Sequence, residues 1–360
     1  MLIVSVCMNE IVLIGGVTEN AISGPSIVIN NIYNNLKKTA NVTPLFYVNG
    51  TSKLKFFFKM IHFFWGKRDL IVNVHSSGIS LPYFVYLLSK IFKKNKYFLS
   101  LHGLYYKEIT TKGKAKKSTL KKEKKYIRNF PNIICVSELL KERIMLDYGR
   151  TESVFVVENG IETGKLLKYR KDISQNKQNG EIKFIMIGGI RVIKGVWECI
   201  DLVKYLLNEN INVRLDIYGN VENDELYQIL LEKTQSVKEY VSYKGIVCDK
   251  DDLYSIMSKY DFQLCLSQWD TFNVAVIESL GLGLPCIASD MCGASSFIKE
   301  KTQGIAVDIK DENYMLKIEK YIREYYKIIE DSPKFQSDLL NYFSWENITL
   351  KYLKTVGIEK

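Results

Sequence analysis

No apolar run in the 360 residues reaches the roughly 18–20 residues that a bilayer-spanning helix needs. Phe56–Trp65 is apolar apart from Lys59 and His62, but it has only half that length, so the chain is expected to touch a bilayer at most. The opening apolar stretch lacks a basic leader and runs into Glu10 and a glycine turn, which is not the pattern of a secretory signal; a cytoplasmic place is expected, with peripheral contact to the inner membrane face. Seven cysteines are odd in number and never spaced C-x-x-C, which excludes a zinc ribbon and a disulfide framework. Five of them lie inside apolar runs and read as small buried residues in a reducing compartment. A dinucleotide fingerprint is also missing, because Gly281-Leu-Gly283 follows a helical pattern and no third glycine follows at the required place. The basic residues carry no nucleic-acid reading motif, so nucleic acid is not an expected partner.

What is present is an ordinary globular composition, 47% hydrophobic and 25% charged, at a length that suits two domains. The net charge of +10 favours phosphorylated ligands or an anionic leaflet without choosing between them. Short apolar runs alternate with amphipathic stretches, the pattern of parallel sheets built from βαβ units. Strands are expected at Ile11–Ile14, Leu45–Val48, Leu70–Val74, Tyr97–Leu101, Asn132–Val136 and Val154–Val157. A polar, lysine-rich stretch from Glu162 to Glu181 has no periodicity and reads as a linker. A second series follows at Phe184–Ile187, Arg214–Tyr218, Val241–Tyr243, Phe262–Leu266, Pro285–Ala288 and Gly304–Val307. The expected fold class is α/β, with two facing Rossmann-like doubly wound domains, residues 1–165 and 182–333. Residues 334–360 form a tail whose helix packs back across both. Such folds bind ligands beyond the carboxyl ends of their strands.

The most informative segment is Ser267-Gln-Trp-Asp-Thr-Phe-Asn-Val-Ala-Val-Ile-Glu-Ser-Leu-Gly-Leu-Gly-Leu-Pro285. Asp270 follows a strand, and Glu278 comes eight positions later on a helix. Two acids on a strand–loop–helix are, taken alone, more often a helix-end charge and a solvated face. The spacing, the flanking strand and the Gly-Leu-Pro exit together resemble the paired carboxylates of the family 4 retaining glycosyltransferases, whose architecture is GT-B. The first acid of that pattern is Glu, and here it is Asp. The resemblance implies that Glu278 grips the two ribose hydroxyls of a nucleotide donor, a bidentate charge-assisted contact. It places Asp270 beside the transferred sugar as a catalytic residue, and the backbone at Phe272, Asn273 and Val274 near the donor at a helix start. The family usually has glycine where Asn273 stands.

Upstream, Ile187-Gly-Gly-Ile-Arg-Val-Ile-Lys-Gly195 is similar to the family's Gly-Arg-…-Lys-Gly loop, whose cations hold the donor diphosphate. Lys194 and Gly195 stand in place; Gly189 occupies the usual Arg position, and Arg191 is the candidate substitute. Fixed cations stabilise the charge that bond cleavage leaves on a nucleoside diphosphate. The Gly219 turn and the turn at Ile246 resemble further donor contacts. In the Asp290–Ser296 segment, Ser296 replaces an acid the family often carries. In the first half, Gly16 ends a strand and Ser23-Gly24-Pro25-Ser26 opens a helix, where the family has a glycine pair beside the donor phosphates; a βα loop can also need such residues with no ligand. His102, just past a strand and followed by Gly103, resembles the histidine that faces the transferred sugar, and a structural role is the plain alternative. His75 also ends a strand. Asp249-Lys250-Asp251 is better read as a helix cap than as an Asp-x-Asp metal motif, and no catalytic metal or other cofactor is expected.

Lys53–Arg68 interleaves aromatics with lysines, and Lys93–Lys96 and Lys112–Lys125 add basic clusters, all in the first half. This suits a membrane headgroup surface, or equally a buried helix with solvated lysines. The family reading implies transfer of a hexose from a nucleotide-diphosphate donor, expected to be a UDP-sugar, which is a co-substrate. The acceptor is then a saccharide or polyprenyl-linked saccharide in surface-polysaccharide synthesis. A nucleotide-sugar 2-epimerase of the same architecture and a non-catalytic nucleotide-sugar-binding protein stay open beside it.

Overall fold

The structure is a computed structural model that describes residues 10–17, 24–48, 52–76, 78–109, 116–170, 180–328 and 336–358. Cys7, Ser23, Lys112 and Lys114 lie outside the described residues. The chain divides into two compact units, one of residues 1–160 with 345–360, the other of residues 161–344.

The first unit runs β1 (Ile11–Val17), α1 (Gly24–Leu36), β2 (Val42–Val48), α2 (Lys53–Phe64), β3 (Ile71–Ser76), α3 (Ser80–Ile91), β4 (Lys96–Leu101), α4 (Tyr105–Ile109), α5 (Lys117–Asn129), β5 (Asn132–Cys135), α6 (Glu138–Tyr148) and β6 (Val154–Val156). The second runs α7 (Thr163–Leu166), β7 (Ile182–Ile187), α8 (Val196–Asn208), β8 (Val213–Tyr218), α9 (Asp224–Thr234), β9 (Val241–Gly245), α10 (Lys250–Met257), β10 (Phe262–Cys265), α11 (Val274–Leu282), β11 (Cys286–Ser289), β12 (Gly304–Val307), α12 (Tyr314–Ile328) and α13 (Gln336–Phe343). The last helix, α14 (Trp345–Val356), belongs to the first unit.

Among the described residues each unit holds one six-stranded sheet, its pairings parallel. The orders are β2-β1-β3-β4-β5-β6 and β12-β11-β10-β7-β8-β9. Central strands are buried along their length, β3 and β10 among them, because helices cover both faces; that is why they read as unbroken apolar runs. In each sheet the winding reverses once, between β1 and β3 and between β7 and β10. In doubly wound sheets ligands bind at such switch points, beyond the carboxyl ends of the strands. The loops after β1 and β3, and after β7 and β10, are therefore where chemistry is to be sought.

The second core is aromatic: Phe262 meets Tyr325 edge-on at 4.8 Å and Phe184 at 6.0 Å, all three fully buried. Truncating such a ring costs about 3–5 kcal/mol. Five of the cysteines, Cys135, Cys199, Cys265, Cys286 and Cys292, are buried and free, and Cys248 is exposed.

One stretch differs from the sequence reading, and a second takes one of the two forms left open for it. The Glu162–Glu181 segment opens as α7 and a 3-10 turn at Leu167–Tyr169, because Leu166 is fully buried and anchors it. The basic run beyond Lys116 is the amphipathic helix α5, which turns Glu123, Tyr126 and Ile127 inward. Glu123 accepts hydrogen bonds from the Tyr105 and Tyr106 amides at 2.7 and 3.2 Å, pinning the loop that follows β4.

Candidate active site

In the second unit, β7 is followed by Gly188-Gly189 and leads through a short 3-10 turn, Val192–Lys194, to Gly195, where α8 begins. Gly195 has φ +73°, and a Cβ there would stand 1.8 Å from the Leu266 carbonyl oxygen, so only glycine lets this loop close against the end of β10. That contact brings the two switch-point loops together. Lys194 Nζ reaches Asp270 Oδ2 at 2.5 Å. Burial works against the ammonium, but the charge and hydrogen bond of Asp270 hold its pKa above the ordinary value, so it is a cation throughout the neutral range.

Asp270 is itself held by backbone. Its amide donates to Met291 O at 3.0 Å, Gly293 donates to its carbonyl at 2.9 Å, and Phe272 donates to its Oδ1 at 3.3 Å. Ala294 closes the same ladder on Phe272 O at 2.7 Å. Asn273 then takes the left-handed conformation, φ +63°, before Val274 starts α11. Asparagine is among the few residues that tolerate this region, so the glycine-like backbone survives at a position lacking glycine. Its Nδ2 donates to Cys265 Sγ at 3.0 Å.

Glu278, one turn into α11, is 3% exposed. Its Oε1 accepts from Lys250 Nζ at 2.5 Å and from the Tyr254 hydroxyl at 2.8 Å. Burial first, and then the neighbouring carboxylate, push the Tyr254 phenol up and keep it protonated. Lys250 and Tyr254 were missed in the sequence, where Asp249-Lys250-Asp251 reads as a cap. Asp249 does cap α10, accepting from the Asp252 amide at 3.0 Å, while the lysine between the two acids turns to Glu278.

The other expected donor residues of this unit have partners of their own or stand in the open. Arg191 sits on the Lys194 loop but forms an ion pair with Glu222 at 3.7 Å. Gly219 packs backbone to backbone on Gly188 and Gly189, where a Cβ would come within 2.4 Å of the Gly189 nitrogen. Ile246, just beyond β9, is 58% exposed.

In the first unit, Gly16 lies near the end of β1, and its carbonyl accepts from Ser26 Oγ at 3.1 Å, tying the strand to α1, which Gly24 begins. Across the switch point Gly15 pairs with His75 in β3. His75 Nδ1 lies 3.2 Å from His102 Nε2, which follows β4. Behind them Asn73 contacts His75, Ser100 and Tyr352 of α14. Burial lowers both histidines, His102 to about 4 and His75 well below its usual value with His102 adding to the effect, so both are neutral at pH 7. Among the described residues no cluster of three or more His, Cys, Asp or Glu could hold a metal ion. No helix among them is long and apolar enough to cross a membrane.

Two doubly wound parallel sheets, with a half-buried ammonium on a buried carboxylate at the switch point of the second, define an α/β protein of the nucleotide-binding kind. The family profile described as Glycosyl transferases group 1 matches residues 168–334, and that described as Glycosyltransferase Family 4 matches residues 36–165. The two lie end to end, and the chain belongs to the family 4 glycosyltransferases, with Rossmann-like units of the GT-B type. An uncharacterized glycosyltransferase of Methanocaldococcus jannaschii is 25% identical over 244 residues, 63% of this chain and 59% of that one. A UDP-Gal:alpha-D-GlcNAc-diphosphoundecaprenol alpha-1,3-galactosyltransferase of Escherichia coli is 22% identical over 211 residues, 57% of this chain and 50% of its own length. The chain thus spans between half and three-fifths of these curated relatives. The Anabaena HepE structure in complex with UDP shares the fold at a TM-score of 0.70 and 15% identity, over 97% of this chain and 99% of that one.

Proposed function

We propose that the chain is a retaining, metal-independent hexosyltransferase that moves a sugar from a UDP-sugar to a saccharide or polyprenyl-linked saccharide in surface-polysaccharide synthesis. The observation that carries this reading is the Lys194–Asp270 pair at the β7/β10 switch point, with Glu278 buried on the helix that follows. In it Lys194 and Arg191 hold the diphosphate, and Glu278 reads the ribose. The second unit, taken by itself, offers the donor the backbone turns at Gly219, Ile246, Phe272, Asn273 and Val274, and offers the transferred sugar Asp270. The first unit, taken by itself, offers Gly16 and Gly24 to the donor and His102 to the transferred sugar.

The acceptor hydroxyl attacks the anomeric carbon on the face from which the diphosphate leaves. The bond to the phosphate oxygen breaks, and the hydroxyl proton passes to the departing phosphate. Fixed cations stabilise the charge that develops there. A UDP-sugar and a diphosphoundecaprenol acceptor are named for the Escherichia coli relative, and UDP for HepE, which is the support for that donor and acceptor class. Exposed Leu54, Phe58 and Trp65 on and after α2, beside Lys53, Lys55 and Lys59, support contact with an anionic membrane surface, where such an acceptor resides.

The test is a thermal-shift screen of nucleotide sugars followed by calorimetry, since a ligand of the folded state raises its melting point. UDP binding is expected to weaken by roughly tenfold or more in Glu278→Gln and in Lys194→Ala, about 1.4 kcal/mol or above. Unchanged nucleotide affinity in both variants refutes the assignment. Turnover with a lipid-linked acceptor that survives a chelator is expected; donor consumption with no acceptor would point to the epimerase instead.

A further inference from the structure

The buried polar chain behind His102 has more order than a structural filler needs. Asn73 is 0% exposed in the middle of β3. Its Oδ1 takes the Ser100 hydroxyl proton at 3.1 Å. Its Nδ2, which also lies 3.0 Å from Ser100 Oγ, is 3.1 Å from His75 Nε2 and 3.1 Å from the Tyr352 oxygen. With Ser100 donating to the carbonyl, the two amide hydrogens go to the ring nitrogen and the phenol. An amide nitrogen cannot accept, so His75 Nε2 is the lone-pair nitrogen and its proton sits on Nδ1. That N–H points at His102 Nε2, 3.2 Å away, which must therefore be an acceptor.

We propose that His75 is a positioning residue of the active site, through which Asn73, anchored by Tyr352 of α14, fixes His102 as the tautomer protonated on Nδ1. The proposal deepens the glycosyltransferase reading, and only its kinetic consequence rests on that reading. Burial keeps both rings neutral, which the relay requires, because a second proton on either would reverse or break a bond in the chain. The Tyr352 phenol, raised by burial, stays protonated and gives Asn73 a fixed partner on a helix from the far end of the chain. The result is a histidine that presents a neutral imidazole with one defined N–H, neither a base at Nδ1 nor a cation, at the place proposed for the transferred sugar.

The experiment uses the full chain, labelled with nitrogen-15 histidine. With only three histidines, His62, His75 and His102, long-range proton–nitrogen spectra resolve every ring. At pH 7 His102 is expected to be protonated on Nδ1 and bare on Nε2. His75→Phe removes the donor, and His102 should move to the Nε2–H form or a mixture of the two. His75→Gln, whose amide can still donate, should retain the Nδ1–H form. In transfer assays His75→Phe is expected to lower kcat roughly 10–100-fold with donor KM little changed, and His75→Gln to restore most of it. A wild-type His102 protonated on Nε2, as the opposite Asn73 amide orientation would require, overturns the proposal. So does an unchanged tautomer in folded His75→Phe. If His75→Phe does not fold, the wild-type spectrum and His75→Gln still decide. Predicted tautomers without nucleotide-sugar turnover would sink the proposed function and leave the relay standing.

Discussion

Lys250 Nζ lies 2.5 Å from Glu278 Oε1, and the Tyr254 hydroxyl shares the same oxygen at 2.8 Å. The acid proposed to read the ribose is therefore held by two donors on α10, and one of its two oxygens is committed before any ligand arrives. A carboxyl group 3% exposed is costly to bury without such partners. Lys250→Met should destabilise the protein by about 1–3 kcal/mol, near the lower figure because the lysine side chain is itself 34% exposed. Adding Glu278→Gln should recover much of that loss. Urea unfolding of the two single variants and the double variant gives the coupling; additivity within about 0.5 kcal/mol would show that the pair contributes nothing.

At Asn273 the left-handed backbone, φ +63°, is the feature the loop keeps, and the side chain is secondary. Asn273→Gly is expected to change stability by only a few tenths of a kcal/mol, its backbone freedom offset by the absence of strain. Asn273→Ala should cost about 1–2 kcal/mol, since alanine pays the Cβ penalty in this region, while both variants lose the contact to Cys265 alike. Equal melting points for the two variants would remove the backbone account of this position.

The histidine pair makes stability depend on pH with a definite sign. His102 titrates near 4 in the folded state against an ordinary value of 6.5, and His75 is lowered in the same direction. Between those values the unfolded chain binds more protons, so stability rises with pH there. The contribution is complete above about 6.5 and is lost as pH falls toward 4. The urea midpoint should fall from pH 7 to pH 5, and it should fall less in His75→Phe. An equal drop in both would show that these rings are not held neutral by burial.

Much of this was legible in sequence because parallel strands buried on both faces leave unmistakable apolar runs, and every expected strand forms. Asp270 and Lys194 were singled out by resemblance to family motifs, and the structure brings them into contact; at Gly195 loop geometry constrains the residue type, since it admits no Cβ against Leu266. What stayed hidden depends on side chains that meet across sequence. Lys250 reaches an acid 28 residues away, and Asn73 meets a tyrosine 279 residues away; neither distance leaves a periodic trace. α5 was half legible: a helix with solvated lysines was one of two readings of its basic run, and of its residues Glu123, Tyr126 and Ile127 turn inward.

The surface of α2 yields the remaining prediction. Leu54, Phe58 and Trp65 are 64, 62 and 77% exposed, while Phe56, Met60 and Phe64 on the other side of the helix are buried. The opposite face is thus already committed to the core, and the exposed one presents aromatics among Lys53, Lys55 and Lys59 with no apolar partner required by the fold of this unit. Aromatic rings and lysines in that arrangement insert at the headgroup level and respond to anionic lipid by about 1 kcal/mol per cation near the surface. The protein should sediment with vesicles containing phosphatidylglycerol and far less with neutral phosphatidylcholine vesicles, and added salt should weaken the binding. Phe58→Ser with Trp65→Ser should reduce it at any lipid charge, whereas Lys55→Glu with Lys59→Glu should abolish only the dependence on anionic lipid. If both double variants bind as the parent does while remaining folded, α2 is not the membrane face, and its exposed rings must serve some other contact.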